Sequence, residues 1–588
     1  MVKQETSQAN QTDNKQWKHK WGFADTEFIV NDDRSVTLTG NRYPLCGLKL
    51  PGFLPYMEKA LGVAIDWDNP RQEVVNKPIA PPRQNESFCA EIGERFPSRC
   101  FSQEDGERLR HSHGYTMIDE TNKVLYDRLE RAADMVFYCE SESDVQTLVQ
   151  LAVRHNVCLV PYGGGTSVSG ALILPSEEDR MIVVVDTTRM NQVEWIDQKN
   201  GRACVQAGIT GRHLEEALQK EGFTSGHEPD SREFSTLGGW IATNCSGMKK
   251  NRYGNIEDIV ETINVVTPAG ILTQQFPSPR SSMGMQLQDL CFGSEGNLGL
   301  ITKAVIRIRP LPEVQKYGSL IFSNFSQGVA FLQQLSQTNF IPASIRLVDN
   351  DQFQWGQSIK PKLTGFAAFV DRLQKLYLFK VLKFSPQELV AATLLMEGSK
   401  EEVAYQEKNI YALAKKYGGV VGGSSNGQRG YLLTYTIAYI GQFILKFNLF
   451  GETFETTVPW DKIEAVREAV REELESQHQQ FNLPAKPYIC SRVTQVYATG
   501  VCMYFTILLY TKGVDHAPEV FNQIYGSLRQ RVMEHGGSIS HHHGVGKIRK
   551  KFMRSIVSPT SIVLLKKLKE ASDPLNTFGI RNNLFGLD

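Results

Sequence analysis

Apolar positions recur at helical spacing between Ser143 and His155, and beyond them VCLVP runs without a polar residue into a cluster of glycines. This order predicts a helix capped by Ser143, a buried strand and a glycine loop. MIVVVD at residues 181–186 predicts a second buried strand. Asn200 with Gly201 then marks a tight hairpin, since both residue types tolerate positive φ. ITGRHLEEALQKEG predicts a helix, INVVTPAGIL a further hairpin and ITKAVIRIR a strand, after which Pro310 and Pro312 punctuate a boundary. One α+β domain over residues 129–312 accounts for the series.

Strand-like and helical patterns mix from 313 to 545 and predict a second α+β domain, a cap over the first. Residues 546–588 are basic and helical, then loop-like, and are expected to return to the active site. Residues 1–128 show no clean period or repeat and read as an N-terminal extension. Its polar start predicts a disordered leader without the apolar core of a secretion signal. The chain ends in FGLD, which is not an SKL-type address, and no apolar stretch is long enough to span a bilayer. The expectation is a protein that is neither secreted nor membrane-spanning.

Composition adds limits. The 588 residues exceed one compact core, and at roughly 150 residues per domain they imply two to four domains. Equal numbers of basic and acidic residues, 64 each, argue against nucleic-acid binding. The ten cysteines contain no CxxC pair, which points to reduced thiols and excludes that form of zinc or redox motif.

Chemistry enters at the loop Pro161, Tyr162, Gly163, Gly164, Gly165, Thr166 and Ser167, directly after a predicted strand. Consecutive glycines let backbone N–H groups approach a diphosphate, although the same run also forms plain turns. Its company favours the diphosphate. One further stretch holds Asp230, Ser231, Arg232, Glu233, Phe234, Ser235 and Thr236, and another Thr243, Asn244, Cys245 and Ser246. A last loop holds Gly293, Ser294, Glu295, Gly296, Asn297, Leu298 and Gly299. Neither a GxGxxG nor a GxxxxGK motif is present.

PYGGGTS, EPDSREFSTLGGW and GSEGNLG resemble the FAD-binding domain of vanillyl-alcohol-oxidase-type flavoproteins, whose loops wrap the pyrophosphate, ribose and isoalloxazine. Thr166 stands where many relatives carry a tethering histidine, so non-covalent FAD is expected. The likeness extends along the chain through WGFADTEF, LTGNRYPLCGLKLP, RLRHSHG, GMKKNRYGNIED, PASIRLVDN, NGQRGYLLTY, SRVTQ and SHHHGVGK. Together these resemble the alkyldihydroxyacetonephosphate synthase family. The resemblance implies replacement of the acyl chain of acyl-dihydroxyacetone phosphate by a long-chain fatty alcohol. In that family C1 of the substrate is held as an adduct at flavin N5, without net redox change. It also implies a peroxisomal, membrane-peripheral homodimer. The rival is an FAD-dependent 2-hydroxy-acid dehydrogenase of the same fold.

Such an exchange needs proton carriers, an anion site and room for alkyl chains. His541, His542 and His543 are suited to proton transfer near neutral pH. On a strand, His541 and His543 would face one way and His542 the other. A metal is not expected there, since adjacent strand histidines cannot share one ion and no nearby Cys or carboxylate is visible in the sequence. The resemblance makes the three histidines, Tyr504 and Arg346 activity-linked. Without it, Tyr504 reads as core and Arg346 as an ordinary ion-pairing residue. Lys547, Arg549 and Lys550 suit either the substrate phosphate or a solvated basic face. The family carries a substrate-contacting arginine where this chain has Gly441; either Arg429 substitutes for it or the pocket handles its carboxylate or phosphate differently.

Phe366, Phe369, Val370, Leu373 and Tyr377 repeat at helical spacing, flanked by Arg372, Lys375, Lys380 and Lys383. The pattern fits a membrane-surface helix or a cap-core helix. Residues 431–445 carry no charge but are too short to span a bilayer.

Overall fold

The computed structural model describes residues 15–587 apart from 76–77, 126–128, 275–277, 281, 362–364, 366–368, 370–371 and 374–375. Its first domain opens on a four-stranded sheet ordered Phe101–Ser102, Met135–Tyr138, Ile182–Asp186, Cys158–Tyr162, with the last three parallel. Parallel strands need a crossover. Helix Glu142–Arg154 supplies it and buries Val145, Leu148, Val149, Leu151 and Ala152 against the sheet. The cap of this helix is Ser141, not Ser143. Ser141 Oγ accepts from the Asp144 N–H at 3.1 Å while the Asp144 carboxylate accepts from the Ser141 N–H at 2.9 Å, a reciprocal box that leaves Ser143 inside the first turn.

A five-stranded antiparallel sheet completes the domain, ordered Gly270–Leu272, Val260–Thr267, Leu300–Arg307, Arg202–Gln206, Val193–Asp197. The hairpin expected at Asn200 and Gly201 is present as a looser connection over 198–201, with Gly201 alone at positive φ, 64°.

The cap is a seven-stranded antiparallel sheet ordered Val420–Val421, Val314–Phe322, Val390–Gly398, Ser344–Val348, Tyr488–Val496, Gly500–Tyr510, Leu449–Pro459. Side chains alternate across it. Ile345, Leu347, Val493, Met503, Phe505 and Phe454 enter a core closed by helices that include Phe325–Ser336, Ile463–Gln480 and Ala517–Glu534. Arg346, Arg492, Tyr504 and Glu455 are left on the opposite face.

The described part of the N-terminal extension is a folded cover, and the expected leader at residues 1–14 lies outside the described residues. Three short strands, Phe28–Val30, Val36–Leu38 and Lys49–Leu50, precede helix Phe53–Leu61. Their apolar side chains close over helix Thr434–Leu445, with Trp67 stacked on Phe443 at 6.3 Å and set against Phe447 at 4.8 Å. Residues beyond this cover tie the domains together. Phe101–Ser102 pairs into the first sheet, so the domain begins upstream of residue 129. The Tyr115 N–H donates to the Ser167 carbonyl at 2.7 Å and the Met117 N–H to the Glu452 carboxylate at 2.7 Å. Among the described residues, no helix is long and apolar enough to cross a membrane.

Candidate active site

Strand Cys158–Tyr162 delivers the glycine loop to the rim of a cavity of about 360 Å³ between the two domains. Pro161 and residues 162–168 line it. Among the described residues, the backbone N–H groups of Gly164, Gly165, Thr166 and Ser167 donate to no protein acceptor, so the loop presents free donors to whatever fills the cavity. An anion is the complement of such a cradle. The glycines have a second purpose. A Cβ at Gly164 would overlap the Phe234 carbonyl and one at Gly163 would meet the Thr236 hydroxyl, so the triple glycine also lets the 230–236 loop dock.

Asp230, Ser231, Glu233, Phe234, Ser235 and Thr236 line the cavity, as do Thr243, Cys245 and Ser246, and Ser294, Glu295, Gly296 and Gly299. The remaining predicted residues lie behind it. Arg232 pairs with Glu228 at 3.1 Å and covers the Tyr435 ring. Asn244 takes the left-handed cap of helix Leu237–Thr243 with φ 53°. The Asn297 amide donates to the Ser294 and Asn582 carbonyls at 2.8 and 3.2 Å. Gly293 and Leu298 are absent from the lining.

Across the cavity, polar side chains from four strands meet on one face of the cap sheet. Tyr504 stands opposite Glu455 on one neighbouring strand and Arg492 on the other. The Tyr504 hydroxyl lies 2.6 Å from His542 Nε2 and 3.1 Å from His543 Nε2. The triple histidine is a bent loop, not a strand, and this corrects the expected alternation. It is His542 and His543 that share Tyr504, while His541 turns away to Tyr497 at 2.7 Å. Glu455 holds the loop in place: its Oε1 accepts from the His543 N–H at 2.7 Å and the Ser540 hydroxyl at 2.8 Å. Burial alone would raise the Glu455 carboxyl, but Arg549 and the histidines outweigh it and keep it well below the usual range. Burial lowers His542 to about 3 and His543 to about 4, so both imidazoles are neutral at physiological pH. Burial also pushes the Tyr504 phenol well above 10.

The sequence-based absence of a cysteine or carboxylate near the histidines is also corrected. Cys502, two residues along the strand from Tyr504, gathers its sulfur with His541 and His542 nitrogens within 4.8 Å of one another. Glu455 lies 3.4 Å from His543 Nδ1. Both come from strands distant in sequence.

Arg346 reaches the cavity wall, donating to Thr434 at 2.6 Å and Asp230 at 3.2 Å. Arg429 does not replace the family arginine. Its helix, Ser424–Leu432, directs it to the Gly356 carbonyl at 3.4 Å, outside both cavities. Lys547 donates to Asn582 at 2.8 Å, and burial lowers it to about 7. Arg549 is fully buried and donates to Ser540 at 2.9 Å, which removes it from any solvated face. Lys550 lines neither cavity.

Gly441 lines a second cavity of about 140 Å³, walled chiefly by apolar residues such as Met57, Met117, Trp355, Ile440, Ile444 and Leu508. It shares Tyr115, Ile437, Ala438, Glu452 and Thr453 with the first. Helix Thr434–Leu445 therefore lies between the two chambers. Of the predicted surface segment, Phe366, Val370 and Lys375 lie outside the described residues; Phe369, Leu373, Leu376 and Val381 are 57, 48, 54 and 64% exposed.

Sequence reasoning missed Glu455 and Arg492. Both sit among other polar residues of their strands, so nothing local singles them out, and register is what joins them to Tyr504.

Residues 133–274 match the family described as FAD binding domain, and residues 311–579 that described as FAD linked oxidases, C-terminal domain. The chain is 40% identical over 563 residues to an alkyldihydroxyacetonephosphate synthase of Caenorhabditis elegans, covering 96% of this chain and 94% of that one. It is 30% identical over 564 residues to one of Dictyostelium discoideum, covering 94% and 91%. A solved structure titled alkyldihydroxyacetonephosphate synthase superposes with TM-score 0.83 at 28% identity, covering 96% of this chain and 98% of that one. The fold is the α+β arrangement of vanillyl-alcohol-oxidase-type flavoproteins, and the cofactor is FAD.

Proposed function

The chain belongs to the alkyldihydroxyacetonephosphate synthase family, and from that premise we propose that it makes ether lipid by exchanging the acyl chain of 1-acyl-dihydroxyacetone phosphate for a long-chain fatty alcohol. The products are 1-alkyl-dihydroxyacetone phosphate and a fatty acid. One observation carries the reading: the Tyr504 hydroxyl, bonded to His542 and His543, faces a cavity that adjoins a second, largely apolar one. A redox enzyme for small hydroxy acids has no use for the second chamber.

The free amides of 164–167 suit the FAD pyrophosphate, with no covalent tether from Thr166. Bound FAD would supply an electrophilic N5 that holds C1 of the substrate while one oxygen substituent leaves and another arrives. Tyr504 would take the proton of the entering alcohol, its hydroxyl oriented by two neutral imidazoles. Arg346, whose charge is already balanced in part by Asp230, would orient a carboxylate or phosphate. The apolar chamber would take the alkyl tail. At neutral pH the fatty acid ionises once it reaches water and the alcohol has lost its proton, so each turnover releases one proton.

The exposed apolar residues between 369 and 381, flanked by Arg372, Lys380 and Lys383, support peripheral attachment to a membrane. Family likeness supports the lumenal face of the peroxisome and a homodimer. Converting Arg372, Lys375, Lys380 and Lys383 to glutamate should abolish liposome binding; unchanged binding would sink the membrane reading. The function itself is tested by incorporation of labelled fatty alcohol without an external electron acceptor, in wild type, Tyr504→Phe and His543→Ala. Equal incorporation in all three removes the site assignment. Anaerobic bleaching of the flavin by D-lactate, with no alcohol incorporated, would favour the dehydrogenase.

A further inference from the structure

We infer that Tyr497 is the solvent-side end of a proton relay that starts at Tyr504 and passes through His542 and His541. The inference rests on the exchange reaction above, in which the entering alcohol gives up a proton and the leaving acyl group takes one inside a buried site. Tyr504 is 6% exposed and faces the cavity that holds the reactants.

A continuous path leads away from it. Tyr504 Oη lies 2.6 Å from His542 Nε2, His542 Nδ1 lies 2.7 Å from His541 Nδ1, and His541 Nε2 lies 2.7 Å from Tyr497 Oη. Every link is at hydrogen-bond length. Neither His541 nor Tyr497 lines either cavity, so the path departs from the reacting centre. Tyr497 sits in the turn joining strands Tyr488–Val496 and Gly500–Tyr510, is partly exposed, and is followed by exposed Ala498 and Thr499.

The Nδ1 to Nδ1 contact determines the chemistry. Two neutral imidazoles in this arrangement share one proton between them, which fixes their tautomers as opposite. With that proton on His542, its Nε2 accepts from the Tyr504 hydroxyl, while His541 Nε2–H donates to the Tyr497 oxygen. Transfer then balances at each step. The alcohol O–H breaks as a new Tyr504 O–H forms, and the old Tyr504 O–H breaks as His542 Nε2–H forms. His542 Nδ1–H gives way to His541 Nδ1–H. His541 Nε2–H breaks as a new Tyr497 O–H forms, and the old Tyr497 proton passes to water.

No free imidazolium is required. Burial lowers His541 and His542 each to about 3, which disfavours a proton resting on either. The departing acyl group draws one proton inward along the same path, from Tyr504, and leaves as the neutral acid, which ionises in bulk water. The inward transfer restores the starting tautomers, and the net proton is released with the product. The charges facing the path are Asp230 and Arg492 at Tyr504, Glu455 and Arg549 beneath the histidines, and Glu257 and Lys250 at Tyr497, the last 3.4 Å above its ring. Lys250 at the outer end opposes a proton lingering there.

The test uses the full-length FAD-loaded protein in the labelled-alcohol assay. Tyr497→Phe should lower kcat roughly 10²-fold with the alcohol KM unchanged and should enlarge the solvent deuterium isotope effect on kcat. His541→Gln keeps a hydrogen-bonding side chain but cannot hand a proton across, and should fall equally. The double variant should fall no further, because both residues serve one path. Free imidazole should restore part of the Tyr497→Phe rate. If the wild type incorporates no alcohol, the proposed function fails, whatever Tyr497 does. If the wild type is active and Tyr497→Phe keeps its kcat and isotope effect, or the two losses multiply, the relay is wrong. Should Tyr497→Phe shed FAD, Tyr497→His decides: a flavin-loaded protein with restored rate supports the relay, and one that stays slow overturns it.

Discussion

The flavin cradle and the proton cluster face each other across one cavity but are built in opposite ways. The cradle is main chain: the N–H groups of 164–167 are left without protein acceptors at the cavity, and the side chains of the loop are small or absent. The cluster is side chain, with Arg346, Arg492, Tyr504 and Glu455 each on a different strand of the cap sheet. A main-chain site fails when its backbone is displaced. A side-chain site fails one functional group at a time. The two halves should therefore be separable by mutation, one losing FAD and the other losing chemistry.

The largest effect is expected at Tyr504. Replacing it with Phe removes the hydroxyl shared by His542 and His543 and should lower kcat by about 10²–10⁴-fold. The flavin absorbance spectrum should stay that of the loaded protein. Concurrent loss of FAD would show that the halves are not independent. Next comes Glu455→Gln. The amide can still accept from the His543 N–H, but buried Arg549 loses its counter-charge. Breaking a buried pair costs about 3–5 kcal/mol, so chemical denaturation should show a loss near the lower figure, with a reduced kcat from the disordered histidine loop. An unchanged midpoint would mean that Glu455 does not organise the loop.

Gly164→Ala probes the other half. Its Cβ would overlap the Phe234 carbonyl, so the 230–236 loop must shift. Overpacking of this kind costs roughly 1–3 kcal/mol and should lower FAD occupancy. The fraction that retains FAD should turn over at close to the wild-type rate per flavin. A low rate per bound flavin would instead place the glycine loop in the chemistry.

The same contrast explains what could be read from the sequence. Backbone sites need glycine and small residues in contiguous runs, so PYGGGTS and GSEGNLG were legible as a cradle. The α+β class and the strands at 158–162 and 182–186 followed from apolar runs, and the strand at 300–307 from its β-branched residues. Glu455 and Arg492 were not legible, because only strand register sets them beside Tyr504. The histidine alternation failed because Gly544 and Gly546, at φ 81° and 53°, and the Glu455 contacts favour a bent loop over a strand. The N-terminal cover was missed because its elements are too short to show a period.

The smallest effect concerns two carboxyls that line the cavity from opposite sides, Glu295 from the cradle and Glu452 from the cap sheet. Burial raises each from 4.5 to about 7, against N–H donation from Val545 and Gly546 to the first and from Met117 and Thr453 to the second. Each carboxyl therefore holds more protons in the folded chain than in the unfolded one between those values. Stability should be greatest at and below the unfolded pKa, fall as pH rises towards 7, and level off above it. Thermal unfolding of the FAD-loaded protein from pH 5 to pH 8 should show a midpoint that declines with pH. Glu295→Gln and Glu452→Gln should each flatten part of the decline, because an amide cannot ionise. The cradle and the cap then contribute separately to one titration, and the double variant should be flattest. A slope identical in all four proteins would mean that neither carboxyl is held neutral by burial, and that the cavity is wetter on both sides than its walls imply.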